Sequence, residues 1–145
     1  MGNHKIYCDC DLNTFKSPCI ITGNSFRPDL IVEMSTRHLV VIELTVGYET
    51  NLEKNYVRKK EKYKILIDNL KDKYCSVKYV NLSMGSIGTI FKESRTIENT
   101  FHAIGMEEHV YAYLVKRIIE ICIRSTYYIF CKRGKDWENP DSLTW

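Results

Sequence analysis

Glu43 constrains this chain more than any other residue, because of the segment it stands in. It lies inside Leu39-Val40-Val41-Ile42-Glu43-Leu44-Thr45-Val46. That run of β-branched and aliphatic residues reads as a strand from His38 to Val46. Burying a carboxylate in such a strand is costly unless a cation or a metal neutralises it. Whatever the chain folds into must bring a partner to Glu43.

A second apolar run, Asp29-Leu30-Ile31-Val32-Glu33-Met34, follows Pro28. Proline cannot donate to a ladder and fits just before a strand. Ser35-Thr36-Arg37 reads as a three-residue turn. A hairpin centred on Thr36 sets Asp29 opposite Glu43, since each stands seven residues from the centre. The two carboxyls then share a face with side chains ~5 Å apart. A slip of one residue places them on opposite faces. Facing carboxylates repel, so one is protonated or a cation neutralises both. Oxygen ligands of this kind suit Mg²⁺ or Mn²⁺. The plainer alternative is that Asp29 caps the turn before its strand and Glu43 reaches a basic residue.

Gly47 ends the strand. Thr50, with Glu53 three residues later, makes a capping-box pattern and predicts a helix running to about Lys71. Its apolar stripe is Leu52, Tyr56, Tyr63, Leu66 and Leu70. Lys59 falls within that stripe and points at the sheet, whereas Lys60 and Lys62 lie at its edges. A carboxylate pair on the sheet gives such a lysine a reason; the alternative is that it snorkels to water. The wider basic cluster, Lys54 to Lys73, reads as a solvated helix face. Cys75 to Leu82 alternates like a third strand. Ser83 to Gly88 reads as a glycine-containing loop whose backbone N–H groups can approach phosphate, or as a plain loop. Glu93 to Ile104 is expected to form a short helix stopped by Gly105. Glu107 to Arg133 reads as one long apolar helix, or two abutting ones, stopped by Gly134. The first twenty-odd residues read as irregular. The order β-β-α-β-α-α predicts a single α/β domain over residues 1–145, one sheet with helices packed against it.

Four segments together resemble a known family: Arg27-Pro28-Asp29-Leu30, Ile42-Glu43-Leu44-Thr45-Val46-Gly47-Tyr48-Glu49-Thr50-Asn51, Arg58-Lys59-Lys60-Glu61-Lys62-Tyr63, and Val80 to Gly88. In order and spacing they resemble the PD-(D/E)XK nuclease superfamily. They are most similar to its nuclease-like domain in animal mobile-element and reverse-transcriptase-associated proteins. The resemblance covers about Asn24 to Gly88. It implies a restriction-endonuclease-like mixed-sheet core (β-β-α-β) flanked by helices. It also implies a metal-dependent endonuclease that hydrolyses phosphodiester bonds, with DNA as the expected substrate. Asp29 and Glu43 would ligate Mg²⁺ or Mn²⁺, with the main-chain carbonyl of Leu44 as a third ligand. The position that holds the superfamily lysine carries Thr45. In some branches that lysine moves to the following helix, and Lys59 is expected to take the role ahead of Lys62. Arg27, Arg58 and Lys62 would hold the flanking phosphates. Gly47 stands where relatives have proline, and Asn81 and Ser83 replace their Val-Glu-Val-Gly chemistry. Thr45 supports an alternative, a nuclease-like fold that binds nucleic acid without cutting it. A protein-interaction module or homodimer built on the C-terminal helix is a third reading.

Composition bounds the partners. The net charge of +3 permits nucleic-acid binding without demanding it, because clustering sets the local field. No apolar run reaches the ~18 residues a membrane helix needs. Met1 to Asp11 carries no apolar stretch of the secretory kind. Six cysteines read as reduced thiols of an intracellular protein, nuclear in a eukaryotic host. His4, Cys8, Cys10 and Cys19 do not have the spacing of a common zinc finger. Cys75, Cys122 and Cys131 are expected in the core. His102 and His109 are expected at the surface or with satisfied partners. Tyr111, Tyr113, Tyr127 and Tyr128 read as packing or dimer contacts.

Overall fold

The computed structural model describes residues 4–10, 15–23 and 25–132. One sheet holds β1 (Lys5–Cys8), β2 (Leu30–Glu33), β3 (His38–Gly47) and β4 (Ser76–Gly85), in that spatial order. The first three strands run antiparallel, and β4 runs parallel to β3. A parallel pair needs a crossover, and α2 (Leu52–Lys71) supplies it. The remaining helices are the short α1 (Cys19–Thr22), α3 (Ile97–Ala103) and the long α4 (Glu108–Lys132).

The turn sets the register of the hairpin. Met34 N–H donates to the His38 carbonyl at 2.9 Å and Arg37 N–H to the Met34 carbonyl at 3.0 Å. Arg37 closes the three-residue turn with φ of 58°, the left-handed conformation that such loops need at their last position. Leu30 then pairs with Ile42 and Ile31 with Val41, the register read from the sequence. β3 is central and covered on both faces, so it is apolar at both parities. On one face Ile31, Leu39 and Val41 pack against Tyr63, Leu66 and Leu70 of α2. On the other, Val40 and Ile42 pack with Val80, Leu82, Met84, Ile97, Phe101 and Cys122 beneath α3 and α4.

Several expectations need correction. The N-terminal segment is not wholly irregular. β1 extends the sheet by a fourth strand, held by the Tyr7 hydroxyl on Glu33 at 2.9 Å and by Asp9 N–H on the Asp29 carbonyl at 2.9 Å. The element order is therefore β-α-β-β-α-β-α-α. The capping box does not form. Thr50 lies in a 3₁₀ turn (Glu49–Asn51), and Asn51 precedes α2 with no side-chain cap bond. The cause is long-range: the Glu49 carboxylate accepts from Ile87 N–H at 2.9 Å and from the Ser86 hydroxyl at 3.2 Å. β4 continues through Ser83-Met84-Gly85, because Thr89 to Phe91 turns back along it. The short helix begins later than expected, after a 3₁₀ turn (Lys92–Thr96). Cys122 is buried as expected, but Cys75 and Cys131 are exposed. The expected stop at Gly134 lies outside the described residues.

α4 is one helix, and among the described residues much of its apolar surface is left exposed. Tyr113, Ile121, Tyr127 and Phe130 are all more than half exposed. With Leu44 and Val46 of β3, α4 borders an apolar groove of about 370 Å³. Among the described residues, no helix is long and apolar enough to cross a membrane.

Candidate functional site

Glu43 is 2 % exposed, the most buried carboxylate among the described residues. Its odd position along β3 aims it at α2. There Lys59 meets it: the ammonium donates to Glu43 Oε1. Lys59 thus reaches the sheet rather than water, as its place in the helical stripe implies. The second oxygen, Oε2, has no hydrogen-bond partner among the described residues. A buried carboxylate oxygen left unmatched is unusual and asks for a ligand or a water.

Asp29 stands just before β2, across the hairpin from Glu43. Its Oδ2 accepts from Leu44 N–H at 2.7 Å. Burial pushes the Asp29 carboxyl above the ordinary carboxylate value. The Leu44 N–H opposes that shift, the Glu43 charge adds to it, and Lys59 opposes it. The Asp29 carboxyl thus senses both the Glu43 charge and the Lys59 ammonium paired with it. The ladder leaves the backbone of Leu44 without a strand partner on the β2 side. β2 begins at Leu30, so Leu44 has no strand residue opposite it. The residue in line with it is Pro28, which has no N–H to offer the Leu44 carbonyl. Within a strand the N–H and C=O of one residue point the same way. The Leu44 carbonyl therefore lies on the side where Asp29 takes the Leu44 N–H.

Sequence reasoning passed over the surroundings of this cluster. In the parallel register Asn81 pairs with Glu43 and Ser83 with Thr45, so all four share the α2 face. Thr45, Asn81 and Ser83 are buried. The Ser83 hydroxyl donates to Asn81 Oδ1 at 3.0 Å, while Asn81 Nδ2 and Thr45 Oγ1 have no partner among the described residues. Tyr63 is fully buried and donates its hydroxyl to the Arg27 carbonyl at 3.0 Å. Burial, with the Glu43 charge added, drives that hydroxyl well above the ordinary tyrosine value. Tyr79 is driven up for the same two reasons. The signal for Tyr63 was available: it follows Lys59 by one helical turn and so shares its face.

The other expected residues scatter around this centre. Arg27 is exposed and paired with Asp9. Arg58 is exposed on α2. Lys62 places its ammonium 4.9 Å from the centre of the Tyr63 ring. The Gly85 to Gly88 loop is not a phosphate cradle. Its four N–H groups go to the Thr89 carbonyl, the Gly47 carbonyl, the Glu49 carboxylate and the Gly85 carbonyl. His4, Cys8, Cys10 and Cys19 form no metal-binding group among the described residues. The one group there with metal-ligand geometry is Glu98, His102 and Glu108. It lies on the α3–α4 side. His102 meets the Met106 carbonyl at 2.9 Å through Nδ1 and Glu108 at 2.9 Å through Nε2, which accounts for it as a tie across the bend at Gly105.

Comparison with family models, with curated proteins and with solved structures finds no match for the chain.

Proposed function

We propose that this chain is a PD-(D/E)XK nuclease-like domain with a restriction-endonuclease-like core. In this reading it is a metal-dependent endonuclease hydrolysing phosphodiester bonds, with DNA as substrate. The observation that carries the reading is Glu43: buried, paired through one oxygen with Lys59, unmatched at the other, and across the hairpin from Asp29. The donor set fits a hard divalent cation, because it is all oxygen and carries two carboxylates against one ammonium. Asp29, Glu43 and the Leu44 carbonyl would hold Mg²⁺ or Mn²⁺. Bound there, the ion would polarise a phosphate and acidify a water. Lys59 would orient that water and steady the charge that builds on the phosphate, a task Thr45 cannot perform. Arg27, Arg58 and Lys62 would hold the sugar–phosphate backbone without reading sequence.

A second reading, a nucleic-acid-binding module that does not cut, draws support from the closed Lys59–Glu43 pair. That pair partly satisfies the buried carboxylate with no metal at all. Cleavage of supercoiled plasmid separates the two. The nuclease reading expects nicking with Mg²⁺ or Mn²⁺, none with Ca²⁺ or in EDTA, and none from Glu43→Ala. Persistent absence of cleavage by the wild-type chain would favour the binding module. The uncovered apolar surface of α4 is also the natural seat of a homodimer, which light scattering across a concentration series would report.

A further inference from the structure

The opposite flank of α2, where it meets Tyr79 of β4, forms a groove of about 610 Å³. Tyr56 and Tyr79 wall it, Ile67 contributes apolar floor, and Lys60, Lys64 and Lys71 line its rim. We infer that this groove binds a single-stranded nucleic acid, with Lys60 and Lys64 on successive phosphates and Tyr56 as the base-stacking surface. The inference deepens the nuclease-like reading by naming the substrate form and its path.

The charge pattern comes first. Glu61 and Asp68 also line the groove, so its net charge is only mildly positive. Asp68, however, is occupied. Lys71 holds it at 2.7 Å, and Lys71 keeps its carboxyl below the ordinary value, with Lys64 adding to the effect. Among the described residues neither Lys60 nor Lys64 is in an ion pair. Four residues apart on a helix, they stand one above the other along the groove. Two exposed ammonium groups in line suit a phosphate chain better than an isolated anion.

The aromatic wall comes second. Tyr56 is braced by Phe91, with ring centres 5.2 Å apart, and Tyr79 by Tyr63 at 5.5 Å. Braced rings at a basic groove are what unpaired bases stack on. A duplex buries its base faces and cannot use them. Tyr79 also ties the groove to the candidate site, since it stands two residues before Asn81, the ladder partner of Glu43. The edge of β4 supplies the last element. Ser83 turns its N–H to the Ser94 hydroxyl and its carbonyl to Phe91 N–H, away from β3. Val77 and Tyr79 share its parity, so their backbone groups face the groove side of the sheet.

The test is fluorescence anisotropy with a labelled oligothymidylate, in EDTA so that binding is read without cleavage. Wild type should bind the single strand more tightly than a duplex of equal length. Lys60→Ala/Lys64→Ala should weaken it roughly tenfold and flatten the slope of log K against log salt by about 1.4, two contacts at ~0.7 each. Tyr56→Ala should weaken binding by a similar factor with the salt slope unchanged. Lys116→Ala/Arg124→Ala, exposed on α4, is the charge-matched control, and Arg58→Ala/Lys62→Ala reports the other flank of α2, assigned above to backbone contacts. Preference for duplex, binding indifferent to salt, or loss confined to the Arg58/Lys62 pair would each overturn the inference. Cleavage of a single-stranded oligonucleotide that needs Glu43 but ignores Lys60 and Lys64 would also overturn it, while leaving the nuclease reading intact.

Discussion

Replacing Lys59 with methionine should destabilise the protein far more than a surface substitution does. Methionine keeps most of the length and apolar stem of lysine and removes the charge. Glu43 would then be left with neither oxygen matched, at 3 % side-chain exposure. Removing one partner of a buried pair typically costs 3–5 kcal/mol. The Lys59 side chain is 23 % exposed, so water can partly replace it and the lower end, about 3 kcal/mol, applies. With a urea slope of roughly 2 kcal/mol/M, the midpoint should fall by about 1.5 M. The corresponding fall in Tm is roughly 6–12 °C. The double variant Lys59→Met/Glu43→Leu should recover most of the loss, because apolar replacement of a buried pair is often neutral or better. Urea unfolding of the three proteins in EDTA measures all of this. A cost below about 1 kcal/mol for Lys59→Met is the value of an exposed pair, and would mean that Lys59 does not neutralise Glu43. Lys59 is thus expected to hold the fold together as well as to act in the proposed chemistry.

In single-turnover cleavage, Lys59→Ala should lower the rate ~10²–10³-fold, whereas Lys62→Ala should mainly weaken substrate binding; the reverse pattern would assign the role to Lys62. Glu49 is held below its ordinary value, chiefly by the Ile87 N–H. It therefore contributes stability above the usual carboxylate range that is lost as pH falls through its lowered folded value, and Glu49→Gln should flatten that acid limb in urea midpoints taken from pH 7 to pH 3. A Cβ at Gly85 would strike the Glu49 carboxylate, so Gly85→Ala should release the same contacts, and combining it with Glu49→Gln should cost little more than either alone. Arg37→Gly removes the left-handed strain of a side chain at φ 58° but also the Arg37 contact with the Lys73 carbonyl, so its urea midpoint should move by less than the equivalent of ~1 kcal/mol.

The parts of the fold that were legible share one property: local sequence determines them. The hairpin register follows from a three-residue turn and two apolar runs, and Lys59 follows from the period of α2. The features that were missed depend on partners far along the chain. β1 is four residues long with Lys5 and Ile6 exposed, too short to show a period, and it exists because β2 offers an edge. The start of α2 is set by Glu49 reaching residues 86 and 87, which overrides a local capping pattern. The end of β4 looks like a loop because it holds serine and glycine. It stays extended because β3 pairs with it on one side and Thr89 to Phe91 on the other.

The four polar residues of the candidate site show why order along the chain hides a site. Thr45, Asn81 and Ser83 read singly as departures from a family pattern, and Glu43 as the partner of Asp29 and Lys59 alone. The parallel register makes them neighbours: Glu43 beside Asn81, Thr45 beside Ser83, on one face. Along that face the sheet changes character. Leu39 and Val41 meet Leu66 and Leu70 at one end of α2, while toward its start the same surface turns polar and meets Lys59. Burying unmatched polar atoms opposes stability, so a strip that leaves Glu43 Oε2, Thr45 Oγ1 and Asn81 Nδ2 unmatched, with the Tyr79 hydroxyl unmatched beside them, is not explained by packing. It lies toward the carboxyl ends of the parallel pair β3–β4, where open α/β sheets usually meet their ligands. A ligand at this strip could supply what Glu43 Oε2, Thr45 and Asn81 lack. In a structure determined with bound Mn²⁺, the Glu43 oxygen should be the first of the three to gain a partner.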